Sequence, residues 1–116
     1  MRDNRRTWFL DFDGTIVYQK SYLSDEDHIL PSTIEFFSSV VKKDDFVIIT
    51  TGREEEHRDR IKEFMSSYGL KCDHIICGLP TGLRIVINDQ KPDGTKTAHS
   101  LNVVRDEGIT YFFEDM

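Results

Sequence analysis

Residues 8–15, with the sequence WFLDFDGT, are the most informative stretch of this chain. The first three are apolar and typical of a buried strand, and Asp11 and Asp13 follow at its carboxyl end. Because alternate residues of a strand point the same way, both carboxylates can face one spot. Two acids placed so suit a divalent cation and a phosphoryl group. Gly14 allows a sharp turn after them, and the Thr15 hydroxyl can hold that turn.

Size and charge narrow the classes of protein to consider. A length of 116 residues predicts one domain over 1–116 with a single core. The net charge of −6 argues against non-specific binding to nucleic acid, which draws on clustered Lys and Arg, so a nucleic-acid partner is not expected. Apolar stretches stay shorter than the roughly 18 residues of a membrane-spanning helix, so we expect no membrane association.

Two further features bear on the compartment. Cys72 and Cys77 have no paired partners elsewhere, so we expect free thiols rather than a zinc site or a disulfide framework. The basic stretch at 1–6 is followed by too few apolar residues for a signal peptide. These features predict a cytoplasmic protein.

Strand and helix patterns alternate along the chain. Helices are predicted to open at residues 31–32 and to cover 54–68, where apolar positions recur at helical spacing. This alternation predicts an α/β fold with a mainly parallel central sheet and helices packed on its faces. Apolar runs predict the strands of that sheet at 7–12, 46–49, 73–77 and 85–88.

Two segments lack a clear pattern. Residues 15–30 show no helical periodicity, and we interpret them as an irregular flap that covers the carboxyl end of the sheet. The tail at 98–104 fits either a strand or a short helix, and we favour the strand.

The second predicted strand runs into residues 50–53, with the sequence TTGR. Ligands of parallel sheets bind where strands end, and a Thr51 hydroxyl followed by the Gly52 amide at a helix start makes a small anion cradle. Arg53 could fork onto a substrate phosphate or onto a carboxylate. Gly52 and Arg53 are therefore candidate substrate-binding residues. A helix N-cap by Thr51 explains the same stretch equally well.

A third acidic strand end follows the predicted strand at 85–88, where Asp89 repeats the pattern of an apolar run that stops at a carboxylate. Asp93 lies four residues later, inside the stretch 91–94 with the sequence KPDG. That stretch is typical of a turn, which would present Asp89.

Residues 11–15, 50–53 and 85–89 resemble, in this order, motifs I, II and IV of the haloacid dehalogenase-like (HAD) superfamily. Its members are mostly phosphatases that pass through an aspartyl-phosphate. The resemblance extends over nearly the whole chain and implies a Rossmann-like three-layer sandwich. Residues 89–108 also resemble a subgroup of small capless members linked with sugar-phosphate or surface-polysaccharide metabolism.

The resemblance also implies roles for individual residues. Asp11 would be the nucleophile, Asp13 the general acid and base, and Thr51 a hydrogen-bond donor to the phosphoryl group. Mg²⁺ would be the cofactor, held by Asp11, by Asp13 through its carbonyl group and by Asp89. Asp93 would hold a bound water.

The superfamily's motif III lysine has no obvious counterpart here. Lys71 and Arg84 stand near the amino ends of their predicted strands, and a strand of five residues rises roughly 16 Å away from them. Lys91 follows Asp89 at the correct edge and is our preferred substitute among the three bases.

Several readings of function stay open. The leading one is a magnesium-dependent phosphomonoesterase without a cap domain, acting on a phosphorylated small molecule. An open site could also borrow a cap from a second copy in a homo-oligomer. The alternatives are the phosphatase part of an assembly acting on polynucleotide ends and a non-catalytic HAD-like binding module.

Overall fold

The computed structural model describes residues 5–110, and its centre is a parallel sheet of three strands. The strands are β1 (Thr7–Asp11), β2 (Phe46–Thr50) and β3 (His74–Ile76), and β2 lies between the other two. The predicted parallel α/β sheet and three of its strands are thereby confirmed. Residues 1–4 of the basic stretch and 111–116 of the predicted domain lie outside the described residues.

Two helices accompany the sheet, α1 (Thr33–Ser39) before β2 and α2 (Arg58–Ser67) before β3. A 3₁₀ turn, Glu55–His57, runs directly into α2, so the predicted helix over 54–68 is confirmed to within a residue. Gly69 ends it with a φ of +67°, a conformation that glycine adopts without strain. No helix within residues 5–110 combines the length and the apolar character needed to cross a membrane.

The core is formed by apolar side chains from the sheet, both helices and the start of the flap. Val47 and Ile49 of β2 are fully buried, as expected for the central strand of a covered parallel sheet. Phe12 packs edge-to-face on Phe64 of α2, with ring centroids 5.5 Å apart. The other members of this cluster include Leu10, Ile16, Val17, Phe36, Phe37, Ile61, Met65, Leu70, Ile75 and Ile109.

A buried carboxylate, Asp45, organises the amino end of the sheet. It accepts hydrogen bonds from the indole N–H of Trp8 at 2.9 Å, from Arg6 Nη2 at 2.8 Å and from the Lys42 amide at 2.9 Å. Burial alone would raise the pKa of Asp45, but these donors outweigh it and hold the pKa well below its usual range. The network ties the turn before β2 to the start of β1.

The flap at 15–30 folds back on itself as a short hairpin-like loop. Tyr18 N–H donates to the His28 carbonyl at 3.0 Å, and Leu30 N–H donates to the Ile16 carbonyl at 2.9 Å. A 3₁₀ helix, Gln19–Leu23, forms its outer part. The flap is therefore more ordered than its sequence predicts, because apolar residues at both of its ends are buried in the core.

The strands predicted at 85–88 and 98–104 are wrong for this structure. Every residue from 80 to 102 is exposed, and the described part of the chain pairs no strand with this region. Leu83 and Ile87 are more than nine-tenths exposed. An apolar run needs a partner strand as well as β propensity, and propensity is all that the sequence can display.

The chain returns to the body of the protein at 105–109. The amide of Asp106 donates to the Gly14 carbonyl at 2.9 Å, and the Asp106 carboxylate accepts from the Gln19 amide at 2.7 Å. Ile109 then enters the core. The return segment thereby joins the flap to the loop that carries the two N-terminal acids.

Candidate active site

Strand register brings the predicted N-terminal acids and the predicted threonine to one edge of the sheet. Asp11 at the end of β1 pairs with Thr50 at the end of β2. The ladder continues one step further, because Phe12 N–H donates to the Thr50 carbonyl at 3.0 Å. Parallel strands end at the same edge, so Asp13 and Thr51 emerge side by side.

Asp13 is held from both sides. The Thr51 hydroxyl donates to Asp13 Oδ2 at 2.8 Å, while Arg53 Nε donates to Asp13 Oδ1 at 3.0 Å. Arg53 Nη2 also lies 2.8 Å from Oδ1, which makes a charge-assisted pair. Because both oxygens are engaged, the direction of this carboxylate is fixed by the protein.

Thr51 is completely buried and serves two neighbours at once. Its hydroxyl oxygen accepts a hydrogen bond from the Arg53 amide N–H at 3.1 Å, and its O–H donates a hydrogen bond to Asp13. An N-cap by Thr51 was one of the two explanations of this stretch. The Thr51 hydroxyl does accept a backbone N–H, but that N–H belongs to residue 53, which lies before α2. The same hydroxyl therefore shapes the loop and orients the acid.

Asp11 contrasts with Asp13 in its surroundings. It is exposed at the end of β1, and the hydrogen bond that Thr15 donates to Oδ2 is long, at 3.5 Å. The pKa of Asp11 is raised, first because the carboxyl group is partly removed from water and second because Asp13 is negative. The positive charge of Arg84 acts in the opposite direction. Asp11 is the acid of the pair that a ligand can reach.

Arg53 does not face solvent, as a free substrate clamp would. It is only 7% exposed and lies over the Phe12 ring, 5.1 Å from the centroid. Its guanidinium bonds to two carboxylates, those of Asp13 and of Asp27 in the flap. Of the two alternatives that its sequence position allowed, a phosphate or a carboxylate, the structure has the carboxylate.

Asp27 is the member of this network that sequence reasoning missed. Its side chain is 1% exposed and accepts hydrogen bonds from Arg53 and from Arg60 of α2. Burial alone would raise the pKa of Asp27, but the two guanidinium groups outweigh it and lower the pKa. The acidic stretch 25–27 was visible in the sequence, but nothing in it distinguished the one buried carboxylate from its exposed neighbours.

Gly52 lies in the loop after β2, beside the chain that leaves β3. A Cβ added there would come within 3.3 Å of the Leu79 carbonyl, and the Leu79 amide donates to the Thr51 carbonyl at 3.1 Å. Glycine therefore permits a close approach of two loops. Its predicted role in substrate binding stays a prediction.

The structure does not bring Asp89 to the acidic pair. Within residues 5–110, no three His, Cys, Asp or Glu side chains are grouped closely enough to share a metal ion. Asp93 accepts the Thr95 amide at 2.9 Å inside the exposed turn that the sequence predicted. Without a strand at 85–88, nothing carries Asp89 along the sheet to its carboxyl edge.

The three candidate bases fall in different places. Lys71 bonds to Asp73 at 2.9 Å near the amino end of the sheet, far along the strand direction from the acids. Lys91 lies in the exposed turn, where its amide donates to the Thr95 carbonyl at 3.0 Å. Of the three, only the charge of Arg84 is among the causes that shift the pKa of Asp11, and our preference for Lys91 stays a prediction.

Arg105 is a further cation at this edge that the search for a motif III base overlooked. A Cβ on Gly14 would lie 3.1 Å from Arg105 Cγ and 3.7 Å from its Nε. Gly14 has a φ of +85°, which favours glycine independently. The signal for Arg105 was absent from local sequence, because the return segment reaches the acids only through tertiary contacts.

No family model, curated protein or solved structure matches this chain.

Proposed function

We propose that this chain is a magnesium-dependent phosphomonoester hydrolase that works through an aspartyl-phosphate, as its resemblance to the HAD superfamily implies. The observation that carries the proposal is the contrast between two neighbouring acids. Asp11 is exposed at the end of β1, whereas Asp13 is fixed by Thr51 and Arg53. An accessible carboxylate beside an oriented one suits the division between a nucleophile and a general acid.

In the proposed reaction a carboxylate oxygen of Asp11 attacks the phosphorus of a phosphomonoester, and the bond from phosphorus to the leaving oxygen breaks. Asp13 gives that oxygen a proton, so the product leaves as an alcohol. Water then attacks the phosphorus of the aspartyl-phosphate while Asp13 accepts one of its protons. Cleavage of the bond between phosphorus and Asp11 releases inorganic phosphate and restores the enzyme.

Two oxygen donors at this edge support the proposal that Mg²⁺ binds here. The Asp11 carboxylate and the Asp13 carbonyl would hold the ion, which prefers oxygen ligands and keeps several waters. When bound, it supplies positive charge that offsets the repulsion between the nucleophile and an anionic phosphate. The raised pKa of Asp11 supports this site, because partial removal from water and the charge of Asp13 both disfavour a bare carboxylate that a cation would stabilise.

Two arginines support the choice of an anionic substrate. Arg84 donates from Nη1 to the carbonyl groups of Pro80 and Gly82, at 2.8 and 3.0 Å, and its charge acts on Asp11. Arg105 lies against Gly14, in the loop between the acids and the flap. Positive charge that is already in place at a developing phosphoryl anion stabilises the transition state.

The finer architecture also belongs to this proposal. We place the sheet in the Rossmann-like three-layer class, in one domain without a cap. The site would then be open and would accept a phosphorylated small molecule, with a sugar-phosphate as the class that the 89–108 resemblance favours. Free thiols at Cys72 and Cys77 agree with a reducing compartment such as the cytoplasm.

The test is a screen of phosphorylated metabolites for release of inorganic phosphate, with Mg²⁺ and with a chelator. We expect the wild type to release phosphate with Mg²⁺ and not with the chelator. Asp11→Asn should release none in either condition, because its amide has nearly the same shape but cannot attack phosphorus. Asp44→Asn, an exposed acid in the turn before β2, is the matched control and should behave as wild type. Turnover by Asp11→Asn near the wild-type rate would remove the covalent mechanism.

A further inference from the structure

Asp27 is an unusual feature of an otherwise polar and exposed flap. Its neighbours Asp25 and Glu26 are exposed, but its own side chain is 1% exposed. A carboxylate in such a place is tolerated only if it is paired and hydrogen-bonded. Two arginines from different elements supply that pairing, Arg53 after β2 and Arg60 in α2.

The contact between Asp27 and Arg53 is bidentate. Arg53 Nη2 donates to Asp27 Oδ1 at 2.7 Å, and Nη1 donates to Oδ2 at 3.3 Å. A planar guanidinium held by two parallel bonds cannot rotate about its own axis without breaking one of them. The flap carboxylate therefore fixes the plane in which the Arg53 side chain presents its remaining donors.

Those remaining donors are the ones that hold Asp13. Arg53 Nε donates to Asp13 Oδ1 at 3.0 Å, and the Nη2 that binds Asp27 also lies 2.8 Å from the same oxygen. The rings of Phe12 and Tyr22 lie on the guanidinium, with centroids 5.1 and 5.9 Å from Cζ. Asp13 and Asp27 are thus coupled through one shared side chain that has little room to move.

The outer side of Asp27 is secured by α2. Arg60 Nε donates to Asp27 Oδ2 at 2.9 Å, and Arg60 Nη2 donates to the Ser21 carbonyl at 3.0 Å. Ser21 is itself buried and accepts the His28 amide on its hydroxyl at 3.1 Å. Arg60 consequently binds the flap at two places, Ser21 and Asp27, and holds Asp27 where it contacts Arg53.

We propose that Asp27 is a positioning residue, which sets Arg53 so that Arg53 holds Asp13 in the direction required for proton transfer. This inference rests on the proposed function in one respect, the use of Asp13 as the general acid and base. The structural part of the inference is that the bond between Arg53 and Asp13 depends on Asp27. That dependence can be measured whether or not the chain hydrolyses phosphomonoesters.

The kinetic test compares Asp27→Asn with Asp25→Asn, an exposed acid of the same flap. Protonation by Asp13 matters for a poor leaving group such as an alkoxide and little for p-nitrophenolate. General acid catalysis contributes 10² to 10⁴ in rate, so a misdirected acid should cost about tenfold or more in kcat/KM on an alkyl phosphate, since kcat/KM reports the phosphoryl transfer and not the later hydrolysis of the aspartyl-phosphate. The loss on p-nitrophenyl phosphate should be much smaller, and Asp25→Asn should match the wild type on both.

The second readout is the Arg53 Nε–H resonance in a ¹⁵N correlation spectrum, assigned by its loss in Arg53→Lys. A hydrogen-bonded Nε–H exchanges slowly with water, so this signal reports the bond to Asp13. We expect Asp27→Asn to weaken or remove it and Asp25→Asn to keep it. An unchanged signal in folded Asp27→Asn would overturn the proposal, as would an equal loss of kcat/KM on both leaving groups.

Arg60→Gln guards against a failure of Asp27→Asn to fold, because it keeps the flap carboxylate and its bond to Arg53 while it removes the outer partner of Asp27 and the Arg60 bond to the Ser21 carbonyl. It should show a smaller loss of the same selective kind and faster exchange of the Arg53 Nε–H. Wild-type behaviour of this variant in both measurements would count against the coupling. A wild type without any phosphatase activity, combined with loss of the signal in Asp27→Asn, would instead refute the proposed function and support the positioning.

Discussion

The Thr51 hydroxyl donates to Asp13 Oδ2 at 2.8 Å, across 38 residues of sequence and between the ends of two adjacent parallel strands. The backbone places both residues, since Thr51 directly follows β2 and Asp13 follows β1 after Phe12, whose N–H donates to the Thr50 carbonyl. The contact therefore depends on strand register more than on side-chain flexibility, and it makes the two strand ends a single unit.

Replacement of Thr51 by valine, which has nearly the same shape, tests the hydrogen bond between Thr51 and Asp13. The change leaves Asp13 Oδ2 and the Arg53 amide without the hydroxyl, and unsatisfied buried groups of this kind cost about 1–3 kcal/mol. We expect lower phosphatase activity and a lower melting temperature. Thr50→Val is the matched control, because the Thr50 hydroxyl makes only a long bond of 3.5 Å to the Leu10 carbonyl. Equal activities for the two variants would contradict a role for the Thr51 hydroxyl.

Binding of Mg²⁺ should stabilise the fold by mass action, so the melting temperature should rise with Mg²⁺ concentration. We expect Asp11→Asn to lose this rise and Asp44→Asn to keep it, as measured by thermal unfolding with and without chelator. Asp89→Asn is an informative third variant. A weaker response would give Asp89 the ligand role that its motif predicts, and an unchanged one would confine the ligands to the edge where Asp11 lies.

Arg84 is the base whose loss should reduce activity most. Its charge acts on Asp11, whereas Lys71 is bonded to Asp73 near the amino end of the sheet and Lys91 lies in an exposed turn. Removal of one positioned donor at a reacting anion typically costs on the order of 10²–10³ in rate, and a charge without direct contact somewhat less. Comparison of kcat/KM for the three alanine variants decides the matter, and a dominant effect of Lys91→Ala would restore our sequence-based preference.

Asp45 should make the stability of the protein dependent on acid pH. Its pKa is held below the unfolded value, so its contribution is complete above about pH 4 and is lost as pH falls toward the folded pKa. Asp45→Asn should cost about 3 kcal/mol at pH 7, because it leaves Arg6 without its buried partner. Urea unfolding at pH 7 and pH 3 should show a smaller acid-induced loss in Asp45→Asn than in the wild type. The exposed neighbour variant Asp44→Asn should follow the wild type.

Gly108 lies where the chain returns to the core, and its replacement by alanine tests how tightly the chain packs there. It has a φ of +84°, and a Cβ there would collide with the Pro31 carbonyl oxygen. Gly94 has a similar φ of +90° with open space around it. Gly94→Ala should therefore cost only the backbone strain of about 1–2 kcal/mol, while Gly108→Ala should cost clearly more. Similar melting temperatures for the two variants would show that the contact with Pro31 can relax.

Elements with a local cause could be predicted from the amino-acid sequence. The apolar runs at 7–11, 46–50 and 74–76 form strands because each is short, continuous and bounded by polar or turn residues. Helix α2 has its apolar positions at helical spacing and a glycine at its end. Asp11, Asp13 and Thr51 could be expected at one edge because parallel strands end together.

Tertiary structure decided the rest. The run at 85–88 has strand propensity but no partner strand within the described residues, so propensity alone predicted it wrongly. Asp27 is buried, and Arg53 turned inward, because the flap contacts the loop after β2 and meets α2. Arg105 reaches Gly14, the residue after Asp13, and Ile109 reaches the core, both through contacts that span most of the chain. Strand pairing and side-chain burial depend on residues distant in sequence, so they cannot be predicted from a local sequence pattern.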